Sequence, residues 1–496
     1  MNKPIDLANE FDVAVVGYGP TGGTLACLLA RSGLSVLLLE RQTEIYDLPR
    51  AVHFDDETIR VFQAAGFASG LSDCTRVNPG MKFVAPDGSL LLNWPRPREK
   101  GCQGWHASYR FHQPALERVL RRHVATIPKV TAMLGANVKT VADLGDSVET
   151  VFHLAGANAD FCARSKFVVG CDGANSTVRN QSEADYEDLG FRERWLVVDA
   201  LLTRPKPELG DFSIQFCDPV RPATYCRNVG DRRRWEISLL DTESPDDFAD
   251  PDSAWKFLEK WISPRDAEIE RCSVYEFRSA VARKWHIGRI LLAGDAAHLT
   301  PPFMGQGMCA GIRDASNLAW KLALCARHGY CAELLDSYET ERKAHVRKYI
   351  ETAVELGGLI NGTGAGLASE AGTGSSGTKR MKSLSIRLDP GLASRFCEHS
   401  GRLFPQPKTI RGELLDDVVG YRCVLLAQRD FAETASEIAP GLQVINADAS
   451  PDIGDCLAEL GARAVFLRPD RYIFGSARSS SELARLLEAA IALRLA

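Results

Sequence analysis

The sequence lacks several features that would have placed it in other classes. No apolar run in its 496 residues is long enough to cross a membrane, so no membrane partner is expected. No dense Lys/Arg cluster is present and the net charge is −5, which argues against nucleic acid as a partner. The opening stretch MNKPIDLANEFD has no apolar region of the signal-peptide kind. The 14 cysteines contain no CxxC pair, in a chain too large to need disulfides. Reduced thiols and a cytoplasmic location are therefore expected, and no metal site. What is present is ordinary: 45% hydrophobic and 25% charged residues, in a length that suits two or three domains.

The chain is organised around Phe11 to Arg41. A short apolar run, Val13 to Val16, stops at Gly17-Tyr-Gly19-Pro20-Thr21-Gly22, and an apolar helix pattern follows. Gly17 permits the tight turn, Gly19 lets backbone approach a pyrophosphate, and Gly22 lets the helix pack close to the strand. The helix start offers free N–H groups and a positive dipole end to an anion. A second apolar run ends in Glu40, about twenty residues on, where a carboxylate can accept from a ribose hydroxyl; Arg41 follows it. This is the strand–turn–helix–strand unit of a dinucleotide site. No second domain built on a strand, a GxGxxG turn and a helix appears.

Further along, Arg50 and His53 precede a helix with Asp55 and Asp56 at its start, where acids suit the dipole. Arg50 is either structural or a loop cation beside a cofactor. Pro86-Asp87-Gly88 marks a hairpin, and Arg110 and Gln113 stand at a strand-to-helix junction that Pro114 opens. Asp172-Gly173 ends an apolar strand before a second helix start at Ser176. Phe191 to Tyr275 alternates as antiparallel strands, with Gln215, Tyr225 and Arg227 between them. Then a buried strand, Ile290 to Ala293, stops at Gly294-Asp295, and a Pro/Gly-rich loop feeds a long helix near Gly307. Asp295 can accept from a sugar-like hydroxyl, and the helix start at Met308 and Cys309 can receive negative charge. The glycines at 305, 307 and 311 let a flat ring approach the backbone. Gly357 to Gly377 reads as a flexible linker, and about Leu403 to Ala496 as a small α/β unit.

Three of these stretches, GYGPTGGTLACLLARSGLSVLLLER, GCDGANSTVR and RILLAGDAAHLTPPFMGQG, resemble the fingerprints of the FAD-dependent aromatic hydroxylases, the class A flavoprotein monooxygenases. PRAVHFDDET and LRPDRYIFG are similar to the 3-(3-hydroxyphenyl)propionate hydroxylase branch, and the tail resembles the redox-inactive thioredoxin-like domain of phenol hydroxylases. The resemblance implies an α/β fold. A Rossmann-like FAD-binding domain (1–80, 106–190 and 285–356) interleaves with an antiparallel-sheet substrate domain (81–105 and 191–284). A linker (357–402) and a thioredoxin-like C-terminal domain (403–496) complete it. It further implies that Gly17, Gly19, Pro20, Thr21 and Gly22 hold the FAD pyrophosphate, with Glu40 on the adenosine ribose and Arg41 and Arg50 nearby. Arg110 and Gln113 match positions at the ribityl or phosphate region. Asp172 matches a residue tied to FAD and pyridine nucleotide, and Arg179 braces that motif. Gly294 and Asp295 meet the ribityl chain. Pro301, Pro302, Gly305, Gly307 and Met308 line the isoalloxazine, with Cys309 where the family usually has Asn.

The activity implied is hydroxylation of a small phenolic acid such as 3-(3-hydroxyphenyl)propionate, with NADH or NADPH and O2, through a flavin C4a-hydroperoxide. His53, Tyr225 and Pro301 are the candidate catalytic positions. His112 and His298 are weaker candidates near the phenol, and Arg50 or Arg227 could hold a carboxylate. A homodimer is expected from the family alone. Two other readings stay open: a hydroxylase of a larger polycyclic or polyketide aromatic, and a flavin-binding protein without catalysis. The WxWxIP signature of flavin-dependent halogenases is absent.

Overall fold

The computed structural model describes residues 5–47, 50–248, 250–360, 372–373, 379–380, 386–388, 391–392 and 398–495. In chain order, the elements used below start with β1 (Ile5–Val16), α1 (Pro20–Arg31), β2 (Val36–Glu40), β3 (His53–Asp55) and α2 (Asp56–Ala65). Next come β4 (Gly80–Val84), β5 (Leu90–Pro95), β6 (Ser108–Phe111), α3 (Gln113–Val124), β7 (Val130–Leu134), β8 (Asp160–Gly170) and α4 (Thr177–Gln181). The middle holds β9 (Tyr186–Leu202), β10 (Ser213–Phe216), β11 (Ala223–Arg227), β12 (Arg232–Ser238), β13 (Ala267–Ala282) and β14 (Ile290–Leu292). Two long helices follow, α5 (Gly307–His328) and α6 (Ala332–Ile360).

The first sheet has eight strands and includes the parallel path β14–β8–β1–β2–β7, with antiparallel strands added at Ala136–Asp143, Val148–Leu154 and His286–Ile287. Val13 to Val16 are fully or nearly fully buried, as a strand covered on both faces must be. Val16 pairs with Leu39 and Gly170, and Gly170 with Leu292, so the strands end in one row. The residues that follow each strand therefore lie side by side along the carboxyl edge of the sheet, where ligands of open α/β folds bind.

The second sheet has ten strands and includes the path β13–β9–β12–β11–β10–β4–β5. It is antiparallel except where β10 meets β4 and where Lys379–Arg380 meets β5. One face buries Tyr225, Trp235 and Leu196 in its own core. Phe83, Trp94 and Trp195 of this sheet instead pack with Phe303 and Met304, from the loop before α5. Between that loop and this second face lies the cavity described below.

The C-terminal unit comprises β15 (Val424–Ala427), α7 (Arg429–Ile438), β16 (Val444–Asn446), α8 (Pro451–Glu459), β17 (Ala464–Leu467), β18 (Ile473–Ala477) and α9 (Ser480–Ala492). Its sheet order is β16–β15–β17–β18, with β15 and β16 parallel and the other two pairs antiparallel.

The structure corrects the expected linker at its start. Helix α6 continues through Gly357 to Ile360. A Cβ on Gly357 would stand 2.8 Å from the Phe303 ring, so this glycine permits a close helix contact. Other described pieces of 357–402 are bonded: Leu388 N–H donates to Gly401 O at 2.9 Å, and Leu392 N–H to Glu341 at 3.2 Å. The remainder of the expected linker lies outside the described residues.

Candidate active site

The three glycine-bearing motifs meet along the row of strand ends. Gly17 has φ +104°, which glycine adopts readily, and a Cβ there would collide with the Cys171 carbonyl at the end of β8. A Cβ on Gly22 would collide with the Gly17 carbonyl. Gly19 has open space, with nothing within 4 Å of the same test atom. Helix α1 begins at this turn with no capping side chain, and so does α5 at Gln306. Their first N–H groups are thus left for an outside acceptor. The two helix starts touch: a Cβ on Gly311 would collide with Thr21 Oγ1 and stand 3.1 Å from Gly294 Cα. Glu40 accepts from Tyr18 N–H and Gln42 N–H, both at 2.8 Å, and so ties the end of β2 to the glycine turn.

Asp172 is committed to its own chain. It accepts from Ser176 Oγ at 2.5 Å and from Thr177 N–H at 2.7 Å, which fixes the start of α4. Arg179 crosses to the third motif, donating to Ala296 O at 3.2 Å and to Tyr186 Oη at 2.7 Å. Tyr186 Oη in turn donates to Asp295 O at 2.5 Å. The Asp295 side chain itself is exposed beside Gly294, which has φ +61°. Gln113 acts as a bracket: its carbonyl oxygen accepts from Arg50 N–H and Ala51 N–H, both at 2.8 Å. The Arg50 and Arg41 side chains are exposed.

A cavity of about 70 Å³ opens between the second sheet and the loop Pro302–Gly305. His53, Arg96, Arg110, Gln215, Thr224 and Glu236 supply its polar wall, and Met81, Trp94 and Cys226 much of the rest. Arg110 is buried and donates to Ser213 Oγ at 2.6 Å, while its Nε has no partner among the described residues. Trp94 Nε1 is likewise buried without a partner among them. His53 Nε2 lies 2.8 Å from Ser108 Oγ, and Nδ1 lies 3.4 Å from Gly305 O. Burial, with the Arg110 charge behind it, lowers the His53 pKa to about 3, so the ring is neutral near pH 7. Glu236 stands 3.7 Å from Arg234 NH1, and burial raises its pKa.

The expected site residues divide accordingly. Gly17, Gly19, Pro20, Thr21, Gly22, Glu40, Asp172, Gly294, Asp295, Gly307 and Met308 gather at the strand ends. Pro302 and Gly305 line the cavity, but Pro301 does not. Arg110, expected at the cofactor, lies on the cavity wall. Tyr225, expected as catalytic, is turned away from it: β11 alternates, so Thr224 and Cys226 face the cavity while Tyr225 packs on Trp235, ring centres 5.4 Å apart. Arg227 donates to the Asn228 and Gly230 carbonyls at 2.7 and 2.6 Å, outside the cavity. His298 is buried against Asp314 at 2.7 Å. Cys309 is buried too, with Sγ 3.7 Å from Gly305 O, and desolvation pushes its thiol up to about 12. Glu236, Arg96 and Trp94 escaped the sequence reading; the alternation of β12 around buried Trp235 was the available signal for Glu236.

The family described as FAD binding domain matches residues 10–353. A probable NADH-specific resorcinol 4-hydroxylase of Rhodococcus jostii is 36% identical over 97% of this chain and 94% of its own length. The chain belongs to the FAD-dependent aromatic hydroxylases. A 3-(3-hydroxy-phenyl)propionate/3-hydroxycinnamic acid hydroxylase of Mycolicibacterium smegmatis is 31% identical, with 100% of this chain and 95% of that one covered. The fold matches the flavin-dependent monooxygenase PieE, solved in complex with FAD and substrate, at a TM-score of 0.83 and 21% identity, over 100% of both chains.

The strand-end cradle of this hydroxylase fits FAD. It pairs two uncapped helix starts with glycines whose Cβ positions are filled by backbone, and leaves Gly19 open to a ligand. The cavity wall adjoins it through one loop, since Pro302–Gly305 runs directly into Gly307 and α5.

Proposed function

We propose that this hydroxylase inserts one oxygen atom of O2 into a single-ring phenol, with NADH as reductant. The observation that carries this reading is the cavity of about 70 Å³. An engineered apolar cavity of about 150 Å³ takes benzene, so a space about half that size favours one ring over a polycyclic occupant and takes even one ring only as its walls move apart. Resorcinol, the substrate named for the Rhodococcus relative, fits that limit better than a ring with a propionate arm.

Bound FAD supplies hydride acceptance and oxygen activation, which no side chain provides. Gly17, Gly19, Pro20, Thr21 and Gly22 with the α1 start would take the pyrophosphate, and Glu40 the adenosine ribose. Asp295, exposed, would meet the ribityl chain, and the exposed Arg41 and Arg50 would stand near the cofactor. The committed bonds of Asp172 and Gln113 favour bracing roles beside the cofactor. Pro302, Gly305, Gly307 and Met308 would flank the ring system.

The protein's own chemistry lies on the cavity wall. Arg110 Nε and Trp94 Nε1 are buried donors left for a substrate oxygen. Glu236 would accept a phenol proton and so raise electron density on the ring. His53, neutral and held between Ser108 and Gly305, orients a hydroxyl and keeps the loop in register. The apolar flanks exclude water.

The division into a discontinuous cofactor domain and a substrate sheet is supported by the separate sheets. The strand–helix–strand–helix–strand–strand–helix order and the β16–β15–β17–β18 sheet support a thioredoxin-like reading of the C-terminal unit.

The test is NADH oxidation by the FAD-loaded protein with resorcinol or 3-(3-hydroxyphenyl)propionate, with product masses. Resorcinol should stimulate oxidation and gain one oxygen. Hydroxylation of the propionate or a polycyclic phenol with resorcinol inert would overturn the small-ring reading.

A further inference from the structure

The motif Arg468-Pro-Asp470-Arg471-Tyr472 lies in the C-terminal unit, yet the side chains of Arg468, Asp470 and Tyr472 end against the body of the enzyme. Arg468 pairs with Glu341 of α6 at 2.7 Å. Asp470 accepts from Asn317 Nδ2 and Trp320 Nε1 of α5 at 3.1 and 3.3 Å. Arg471 pairs with Asp416 at 2.8 Å, and Asp416 also takes Arg60 of α2 at 2.7 Å. Next to these anchors, the Tyr472 hydroxyl donates to Glu57 Oε1 at 2.7 Å.

From Glu57 the bonds run to the cavity. Glu57 Oε2 accepts from Arg313 Nε at 2.5 Å, and Asp55 Oδ2 from Arg313 NH2 at 2.5 Å. The third nitrogen, Arg313 NH1, donates to Gln306 Oε1 at 3.1 Å. Arg313 therefore clamps the end of β3, which carries His53, to the loop that carries Gly305. Those two walls are in contact, since a Cβ on Gly305 would stand 3.1 Å from His53 Cβ and Nδ1. Arg313, Gln306 and Tyr472 are all at most 9% exposed, so water does not substitute for a lost partner. Asp55 and Glu57 both compete for this guanidinium. The Tyr472 hydroxyl is the donor on Glu57 Oε1, and without it Glu57 draws harder on Arg313.

We propose that Tyr472 is a positioning residue for hydroxylation: through Glu57 and Arg313 it sets the Gln306 loop against His53, making the C-terminal unit part of the active site. This rests on the reading of the cavity as the hydroxylation site. Each NADH oxidised with O2 ends either as hydroxylated product and water or as released hydrogen peroxide, so a loosened wall shows as a shift between the two.

The experiment compares full-length, FAD-loaded wild type, Tyr472→Phe, Asn317→Ala, Gln306→Met and Tyr472→Phe/Gln306→Met, with resorcinol as probe. Asn317→Ala removes two bonds of the same buried contact, to Glu341 and Asp470, outside the clamp. Product per NADH, hydrogen peroxide, FAD content and melting temperature are measured for each. Tyr472→Phe should lower product per NADH about threefold or more, with FAD content retained. Asn317→Ala should shift the melting temperature but not the product ratio. The double variant should lose little beyond Gln306→Met, because both act on one clamp. An unchanged ratio in Tyr472→Phe, an equal drop in Asn317→Ala, or independent multiplication in the double variant would each overturn the proposal. If wild type hydroxylates no single-ring phenol, the functional reading fails instead. Retained substrate binding, read as a perturbed flavin absorbance that Tyr472→Phe weakens and Asn317→Ala does not, then still tests the clamp.

Discussion

Glu236 is the one carboxylate among the described residues on the cavity wall, and its burial raises its pKa above the ordinary glutamate value. A base with a raised pKa is lost at low pH, so the acid limb of kcat/KM should sit above the range of a free glutamate. Glu236→Gln should lower kcat about a hundredfold, leave KM within a small factor, and abolish that limb. A pH profile of the variant that keeps the limb would assign it elsewhere. Arg110→Met separates two assignments directly: raised KM at full FAD content places it on substrate, and lost FAD returns it to the cofactor. Asp56 offers a stability test. Desolvation, then the Asp55 and Glu57 charges, raise its pKa from 3.8 to about 7. The folded state thus binds this proton more tightly, so the stability it contributes is full below pH 4 and is lost as pH rises through 7. Asp56→Asn should raise the melting temperature at pH 8 relative to wild type and not at pH 4. At this scale the sequence was legible where chemistry is local, as in the acid at the end of β2. It misled at Tyr225, because period two says that neighbours oppose each other and not which of them faces the ligand. The large aromatic went to the core and left Thr224 and Cys226 outside it.

Elements were legible because each glycine motif is a strand, a turn and a helix start in one run of chain. That the three strands would be neighbours, with their ends in one row, was not readable from any window, since strand order is set by long-range pairing. The same limit explains α6. Glycines 357 and 358 read as a linker by propensity, but packing on Phe303 keeps the helix going. The α1–α5 contact turns this into a prediction. A Cβ on Gly311 meets Thr21 Oγ1 first and Gly294 Cα next. Gly311→Ala should cost about 1–3 kcal/mol by overpacking and release FAD, because both helix starts shift. Adding Thr21→Ala should recover part of the melting temperature. A double variant no better than the single one would mean that the contact with Thr21 is not the cause.

Across the whole molecule, the C-terminal unit is held by a buried charge cluster: Lys321 and Arg468 against Glu341 and Asp470, all at most 1% exposed at the side chain. The sequence showed RPDRY as a motif by resemblance only; its partners Glu341, Asn317, Trp320 and Glu57 stand more than a hundred residues away, and charge pattern along the chain cannot pair them. The two positive and two negative groups balance. Removing Arg468 leaves two carboxylates facing one lysine away from water, and breaking such a set typically costs about 3–5 kcal/mol. Wild type should therefore unfold by calorimetry with the C-terminal unit and the body in one transition, since neither keeps these charges satisfied alone. Arg468→Met should lower that transition or split it in two. Because the same motif carries Tyr472, the variant should also release more hydrogen peroxide per NADH below the temperature of the first transition. A split melt at wild-type product yield would mean that the unit is docked by these charges but leaves the hydroxylation site as it is.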